Sequence, residues 1–393
     1  MNTLNNQRSI SILIGGVCAL SLAMGLSRFG FTPIIPLMQR DIGVTEWSIA
    51  VLASANNLGY LIGAYISRKQ CIRKNLLIWL GVGIVSSIVT LAAMSLTLSE
   101  TFWLFLRLLA GFLSAILFVV ASSVTLGKGR SEWAGYLYSG VGVGIAFSGI
   151  FTPMFDRIGG WQASWQGLAL GGSIFGITAW CTLSKALRLE AEGSAKMRKS
   201  EHLIRDYRWY VLLVSYGLEG IGYIITATFI VQMIKAMPEL SHIANQSWIL
   251  IGLAAVPSTL LWAQIAKMTD IKVSLMLAFG MQALGILLTV AIPNQISILV
   301  GGILFGGTFM GITSLTMTLA SQMKPEAQMQ AIGELTTVYA LGQIIGPIVA
   351  AYLQKNVNIL APSFFAVSVL ILALGALMVL RVKDIILKDC KSE

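Results

Sequence analysis

Apolar run follows apolar run along this chain, with only short polar breaks between them, at 10–37, 47–67, 75–97, 101–126, 133–155, 163–184, 209–237, 245–266, 273–293, 295–322, 328–353 and 359–382. A bilayer core about 30 Å thick needs roughly 20 apolar residues per helical crossing. Lipid offers backbone groups no partner, so each run is expected to be a helix. Between the sixth and seventh runs, Ser184 to Arg208 is the only long charged segment. The pattern predicts an all-α integral membrane protein of twelve transmembrane helices in two pseudo-symmetric six-helix bundles. Residues 1–184 form the first bundle, 185–208 a cytoplasmic linker, and 209–393 the second bundle with a short tail.

Composition agrees with the pattern. Hydrophobic residues make up 56% and charged residues 11%, with a mean hydropathy of +0.79, whereas a soluble domain carries roughly 25% charged residues. The net charge of +10 does not point to nucleic acid, because the basic residues form no single patch. They crowd one set of loops: Arg8; Arg68, Lys69, Arg73 and Lys74; Lys128 and Arg130; the linker; Lys267 and Lys272; Lys324; and the tail from Arg381. The opposite loops hold Arg40, Arg157, Lys235 and Lys355 alone. By the positive-inside rule both termini are expected in the cytoplasm. Cys18 and Cys181 fall in spans, and Cys71 and Cys390 on the reducing side, so no disulfide is expected. The start lacks a charged region leading to a small-residue cleavage site, and its apolar run is too long for a signal peptide, so the first span is expected to be retained.

Two stretches echo one another. GLSRFGF, Gly25 to Phe31, and GLEGIGY, Gly217 to Tyr223, share Gly-Leu, three variable residues, Gly and an aromatic, at an offset of 192 positions. Trp47 with Leu52 and Ala53 recurs as Trp248 with Leu253 and Ala254, and Gly135, Leu137 and Gly144 recur as Gly333, Leu335 and Gly342. Ordered matches with drifting offsets indicate two diverged copies of one bundle, an arrangement that places a substrate site between the halves near the midplane. Gly59 and Gly63 form a GxxxG, Gly140, Gly142 and Gly144 line the fifth span, and Gly302, Gly306, Gly307 and Gly311 crowd the tenth. Such residues admit close helix contacts, either as static packing or as surfaces that slide during a conformational cycle.

These residues resemble the major facilitator superfamily, and within it the YbfB/YjiJ-type branch of transporters, over nearly the whole chain. GLSRFGFTPIIPLM (Gly25 to Met38) and YGLEGIGYIITATF (Tyr216 to Phe229) look like that branch's first and seventh helices. RLLAG, Arg107 to Gly111, resembles the R-x-x-x-G element of helix four, and Gly140 to Pro153 is similar to the antiporter-associated motif of helix five, without its Gly-Pro. One departure stands out. Where the superfamily's loop between helices two and three carries a gating Asp, Ser67 stands here, and Lys267 occupies the matching place in the second half, with Asp270 the nearby acid. The resemblance implies a bacterial transporter, and so a place in the inner membrane, with helices one, four, seven and ten around a central cavity.

A charge at the centre of a spanning helix costs about 2.5–3.5 kcal/mol on insertion scales, so it usually faces a partner or a watery cavity. Arg28, Arg107 and Glu219 are such charges, on spans one, four and seven. All three are candidates for proton coupling. Burial and a nearby cation act on a carboxyl's proton in opposite senses, so moving an arginine toward or away from Glu219 would load or release a proton. The alternative is a fixed Arg28–Glu219 salt bridge that ties the halves together. Arg28 or Arg107 also suits a substrate carboxylate or phosphate, and Asn56, Asn57, Tyr223 and Gln343 offer neutral hydrogen bonds to substrate or between helices. Glu334, near the start of span eleven, reads as an interfacial acid. His202 and His242 have no second ligand at metal spacing, and no P-loop, dinucleotide fingerprint or nucleophile elbow is present. The chain is therefore expected to be a monomeric secondary transporter of a small organic solute without cofactor or enzymatic activity. Proton-driven export is the first expectation, with uptake of a small organic anion together with protons as its alternative and a transporter-like sensor as a more distant one.

Overall fold

Residues 2–67, 72, 75–126, 133–190, 206–325 and 327–379 are described by the computed structural model, and all regular structure among them is helical. The first span is interrupted: α1 (Asn2–Leu20) passes into a π-helical segment (Ser21–Leu26), a turn follows over 27–30, and α2 runs Phe31–Ile42. Then come α3 (Glu46–Ile66), α4 (Leu76–Ala93), α5 (Glu100–Leu126) and α6 (Ala134–Glu190), and after them α7 (Tyr207–Lys235), α8 (Ala244–Met268), α9 (Ile271–Ala291), α10 (Gln295–Met323), α11 (Gln328–Asn356) and α12 (Ala361–Val379). Among the described residues 11 stretches are long and apolar enough to cross a membrane. The longest is two crossings, because α6 turns at Gly159 (φ −165°) and Gly160 (φ 64°), and the crossings among the described residues therefore number twelve.

Local chemistry explains the boundaries. The left-handed φ of Gly160 favours glycine, and the Trp161 N–H just beyond it donates to Asp41 Oδ2 at 3.3 Å. Arg40 pairs with Asp41 and with Asp156 at 2.7 Å, fixing the end of the first span to the turn in α6. Thr45, Asp206, Asp270 and Asn294 accept backbone N–H bonds at the starts of α3, α7, α9 and α10, as N-cap residues do. The first span extends to Ile42 rather than ending at 37, and α6 continues helical through the predicted linker's opening residues, 185–190. The rest of that linker to 205, with His202, lies outside the described residues, as do Cys71, Cys390, the loop cations Arg68, Lys69, Arg73, Lys74, Lys128 and Arg130, and the tail from 380.

The repeat is visible in the packing. A Cβ on Gly144 would collide with Ser21 O and Gly25 Cα, and a Cβ on Gly342 with Gly217 O and the backbone near Ile221. The same glycine of each copy thus seats its helix on the same stretch of the first or seventh span. The Trp47 and Trp248 match behaves otherwise: Trp47 is 57% exposed and Trp248 is 1% exposed. Trp248 is held inside by donating its indole N–H to Ser148 Oγ at 3.0 Å.

The two bundles meet along three lines: α2 against α7, α3 against α11, and the first half of α6 against α8. On the fifth span the glycines divide between two faces. Gly140 and Gly144 abut Val17, Ser21 and Gly25 within the bundle, whereas Gly142 abuts the Gly252 carbonyl across the bundle interface.

Candidate functional site

The break in the first span builds the site. Pro33 has no N–H and its ring crowds the carbonyl four residues back, at Phe29, and the chain responds by leaving the helical ladder there. Ser27 N–H reaches back to Leu22 O and Phe29 N–H to Met24 O, both five residues away, and Thr32 N–H turns to Phe29 O. At membrane depth freed backbone groups need protein partners, and Arg107 on α5 provides them. Its guanidinium donates to Ser27 O at 2.9 Å and Arg28 O at 3.3 Å, while lying 4.7 Å from the Phe31 ring centroid. Asn56 in turn donates to Arg107 O at 2.9 Å.

The turn aims Arg28 at the other bundle. Its Nη2 donates to Asn57 Oδ1 at 2.8 Å and to Gln343 Oε1 at 2.6 Å, and Asn57 Nδ2 donates to Gln343 O at 2.8 Å. Arg28, Asn57 and Gln343 therefore close a triangle across the interface, flanked by Ser54 Oγ on Ile344 O and Thr32 Oγ1 on Ala227 O, both at 2.7 Å. The Tyr60 ring centroid lies 4.5 Å from the guanidinium carbon. No ion pair among the described residues reaches Arg28 or Arg107.

Glu219 occupies a second, separate cluster. It is fully buried and its Oε1 accepts from Gln282 on α9 at 3.3 Å. The Tyr339 hydroxyl stands beside it, and Oε2 has no hydrogen-bond partner. The alternative of a salt bridge between Arg28 and Glu219 is not what this conformation holds, since each has neutral partners of its own. A line of rings separates them. Tyr223 stacks on Tyr339 at 6.1 Å and on Phe309 at 5.3 Å, and meets Phe29 edge-on at 6.3 Å.

All seven predicted site residues are buried: Arg28, Asn56, Asn57, Arg107, Glu219, Tyr223 and Gln343. Arg28, Asn56, Asn57 and Arg107 line one cleft with Phe29, Phe31, Thr32, Ala53, Ile224, Ala227 and Thr228. Its volume is about 20 Å³, room for about one water, whereas pockets for organic ligands run to roughly 300–1,000 Å³. In this conformation the cleft is too small for an organic solute. Gln282 and Tyr339 were missed in the sequence. Gln282 had a signal, as the one amide within the ninth apolar run, while Tyr339 had none beyond sitting one turn before Gln343. Glu334 accepts the Trp209 indole N–H at 2.9 Å. At the departed gate positions, Ser67 bonds back to Ala64 O and Asp270 caps α9.

Comparison with known proteins adds the following. Residues 20–380 match the family model described as "Uncharacterised MFS-type transporter YbfB". No curated protein matches the chain in sequence. Crystal structures of the nucleoside transporter NupG share the fold. A point mutant superposes with a TM-score of 0.74 at 12% identity over 95% of this chain and 99% of NupG, and a second structure with 0.72 at 14% identity over 95% and 98%.

Proposed function

The chain belongs to the MFS-type transporter family described for YbfB, and from that membership we propose a proton-coupled secondary transporter that moves a small organic solute through the central cleft by alternating access. The proposed membrane is the inner membrane of a bacterium, as the family resemblance implies, and the loop cations favour both termini in the cytoplasm. The proposed direction is export in exchange for protons, with uptake of an organic anion alongside protons as the second reading.

One observation carries the coupling: Glu219 is fully buried, has no cation beside it, and has one oxygen without a partner. A buried charge without a counter-ion is costly, and taking up a proton removes that cost. A carboxylate only accepts hydrogen bonds, whereas the protonated acid also donates one, so the exchange reverses the demand made on Gln282 and Tyr339. Tyr339 and Gln343 are four residues apart on α11, as are Glu219 and Tyr223 on α7, and residues at that spacing share a helix face. A shift of Tyr339 is therefore felt one turn further along, where Gln343 holds Arg28. In this reading the proton site and the cross-bundle triangle are two ends of one lever, and protonation at Glu219 biases the triangle toward opening or closing.

The test uses proteoliposomes with an internal pH-sensitive dye and a panel of organic acids, amino acids, sugars and lipophilic cations. The wild type should dissipate an imposed pH gradient when a transported solute is added. Glu219→Gln keeps the shape and cannot ionise, and it should reduce that proton movement to the protein-free background. Solute-driven proton movement that survives in Glu219→Gln would reject the coupling role.

A further inference from the structure

Arg28 and Arg107 are 6% and 3% exposed, yet every hydrogen bond they make is to a neutral acceptor: an asparagine, a glutamine and two backbone carbonyls. Both line one cleft, and none of the residues that line it with them is an acid. Two like charges facing a common space away from water repel each other and lose hydration. Buried arginines are ordinarily paired, and here the described residues supply no anion to pair them.

We propose, building on the transport reading above, that the cleft between Arg28 and Arg107 binds the carboxylate of a small organic anion whose body is apolar or aromatic. The Nε of Arg28 and the Nε of Arg107 are both buried without a hydrogen-bond partner. A guanidinium has five N–H donors and each of these arginines spends two on protein acceptors, so donors remain for an arriving anion, and the two in-plane oxygens of a carboxylate suit the planar fork. Arg107 is already committed to the carbonyls of the broken helix, so Arg28 is the principal ligand and Arg107 adds charge and one donor. The remaining walls, Phe29, Phe31, Ala53, Ile224 and Ala227, suit an apolar body.

The same arrangement joins binding to motion. Arg28 Nη2 is held by Gln343 from the opposite bundle, and an ionised acceptor forms a stronger bond with guanidinium than a neutral amide does. A carboxylate arriving at Arg28 displaces Gln343 and so releases the bond between bundles. The solute itself undoes one corner of the triangle.

Four probes sharing a phenyl ring test the assignment by calorimetry on the purified full chain in detergent: phenylacetate, phenylacetamide, phenyl phosphate and benzylammonium. Phenylacetate should bind, phenyl phosphate should bind no more tightly than phenylacetate, and phenylacetamide and benzylammonium should each bind at least about ten-fold more weakly, the effect of one lost charge-assisted bond. Arg28→Lys keeps the charge without the fork and should weaken phenylacetate by a similar factor. The wild-type series stands even if that variant fails to fold. Equal binding of the amide or the ammonium, no binding of phenylacetate, or an unchanged affinity in folded Arg28→Lys overturns the proposal, and tighter binding of phenyl phosphate overturns its carboxylate part. Proton movement driven only by neutral or cationic solutes would remove the anion assignment and leave the transport reading standing. Phenylacetate binding with no proton movement for any solute would do the reverse.

Discussion

Gly25 to Phe31 and Gly217 to Tyr223 descend from one pattern, yet they do different work. Each is seated through glycine contacts on an equivalent helix, Gly144 of α6 or Gly342 of α11. The first copy is followed by Pro33 and Pro36 and breaks; the second has Ile225 and Thr228 at those offsets and stays helical throughout α7. The break frees carbonyls, the freed carbonyls require Arg107, and the turn throws Arg28 toward the other bundle. The unbroken copy needs no such cap. Where it meets α10 it finds Phe305 and Phe309 stacked on Tyr223, and its charge, Glu219, stays inside its own bundle. Duplication preserved backbone packing, and divergence separated the electrostatics: cations at the interface from one copy, an acid within the bundle from the other.

Placing the first copy's break in the second should have the largest effect. Ile225→Pro removes an N–H in the middle of α7 and crowds the Ile221 carbonyl, which costs about 3 kcal/mol or more in a helix interior. No arginine waits there to receive the freed carbonyl, so thermal unfolding in detergent should show a severe loss. A mild effect would mean that the two copies differ in sequence only and that α7 tolerates the break as the first span does.

Removing the cap comes next. Arg107→Leu leaves Ser27 O and Arg28 O without their donors, at about 1–3 kcal/mol for each buried group left unsatisfied, offset in part by deleting a buried charge. The expected loss is about 2 kcal/mol, and a double-mutant cycle isolates its cause. In a Pro33→Ala background the helix can straighten and recover its own donors, so the loss from Arg107→Leu should shrink. An equal loss in both backgrounds would assign Arg107 to the cleft alone.

The sequence carried the spans and the copies because lipid leaves a spanning backbone little choice, and because a charge in an apolar run such as Arg28 or Glu219 is conspicuous through its cost. It carried the break as well, in Thr32-Pro33 and Pro36, but the continuous hydropathy of 10–37 hid that signal behind a single helix. The triangle is another matter. Arg28 lies 29 residues from Asn57 and 315 from Gln343, and no local period links them; their meeting depends on how the bundles dock. The same limit governs Glu219, which faces Gln282 and Tyr339 of its own bundle because of its angular position on α7, a quantity that repeat matching gives only to within a residue. The Trp47 and Trp248 match shows the hazard, since equal letters at an offset of 201 occupy opposite environments.

The subtlest test compares the copies where they agree. Gly144→Ala drives a methyl into Ser21 O and Gly25, and Gly342→Ala drives one into Gly217 O and the backbone near Ile221. Overpacking of this kind costs about 1–3 kcal/mol, and preserved packing requires that the two losses agree within about 0.5 kcal/mol, the scatter expected for independent sites. Gly142→Ala makes the same chemical change on the other face of α6, against the Gly252 carbonyl of α8. There the obstacle lies between bundles, which can separate slightly to relieve it, so unfolding should be affected less than in the other two variants while the transport rate falls. Equal melting losses for all three glycines, with transport untouched by Gly142→Ala, would remove the distinction between a fixed face and a moving one.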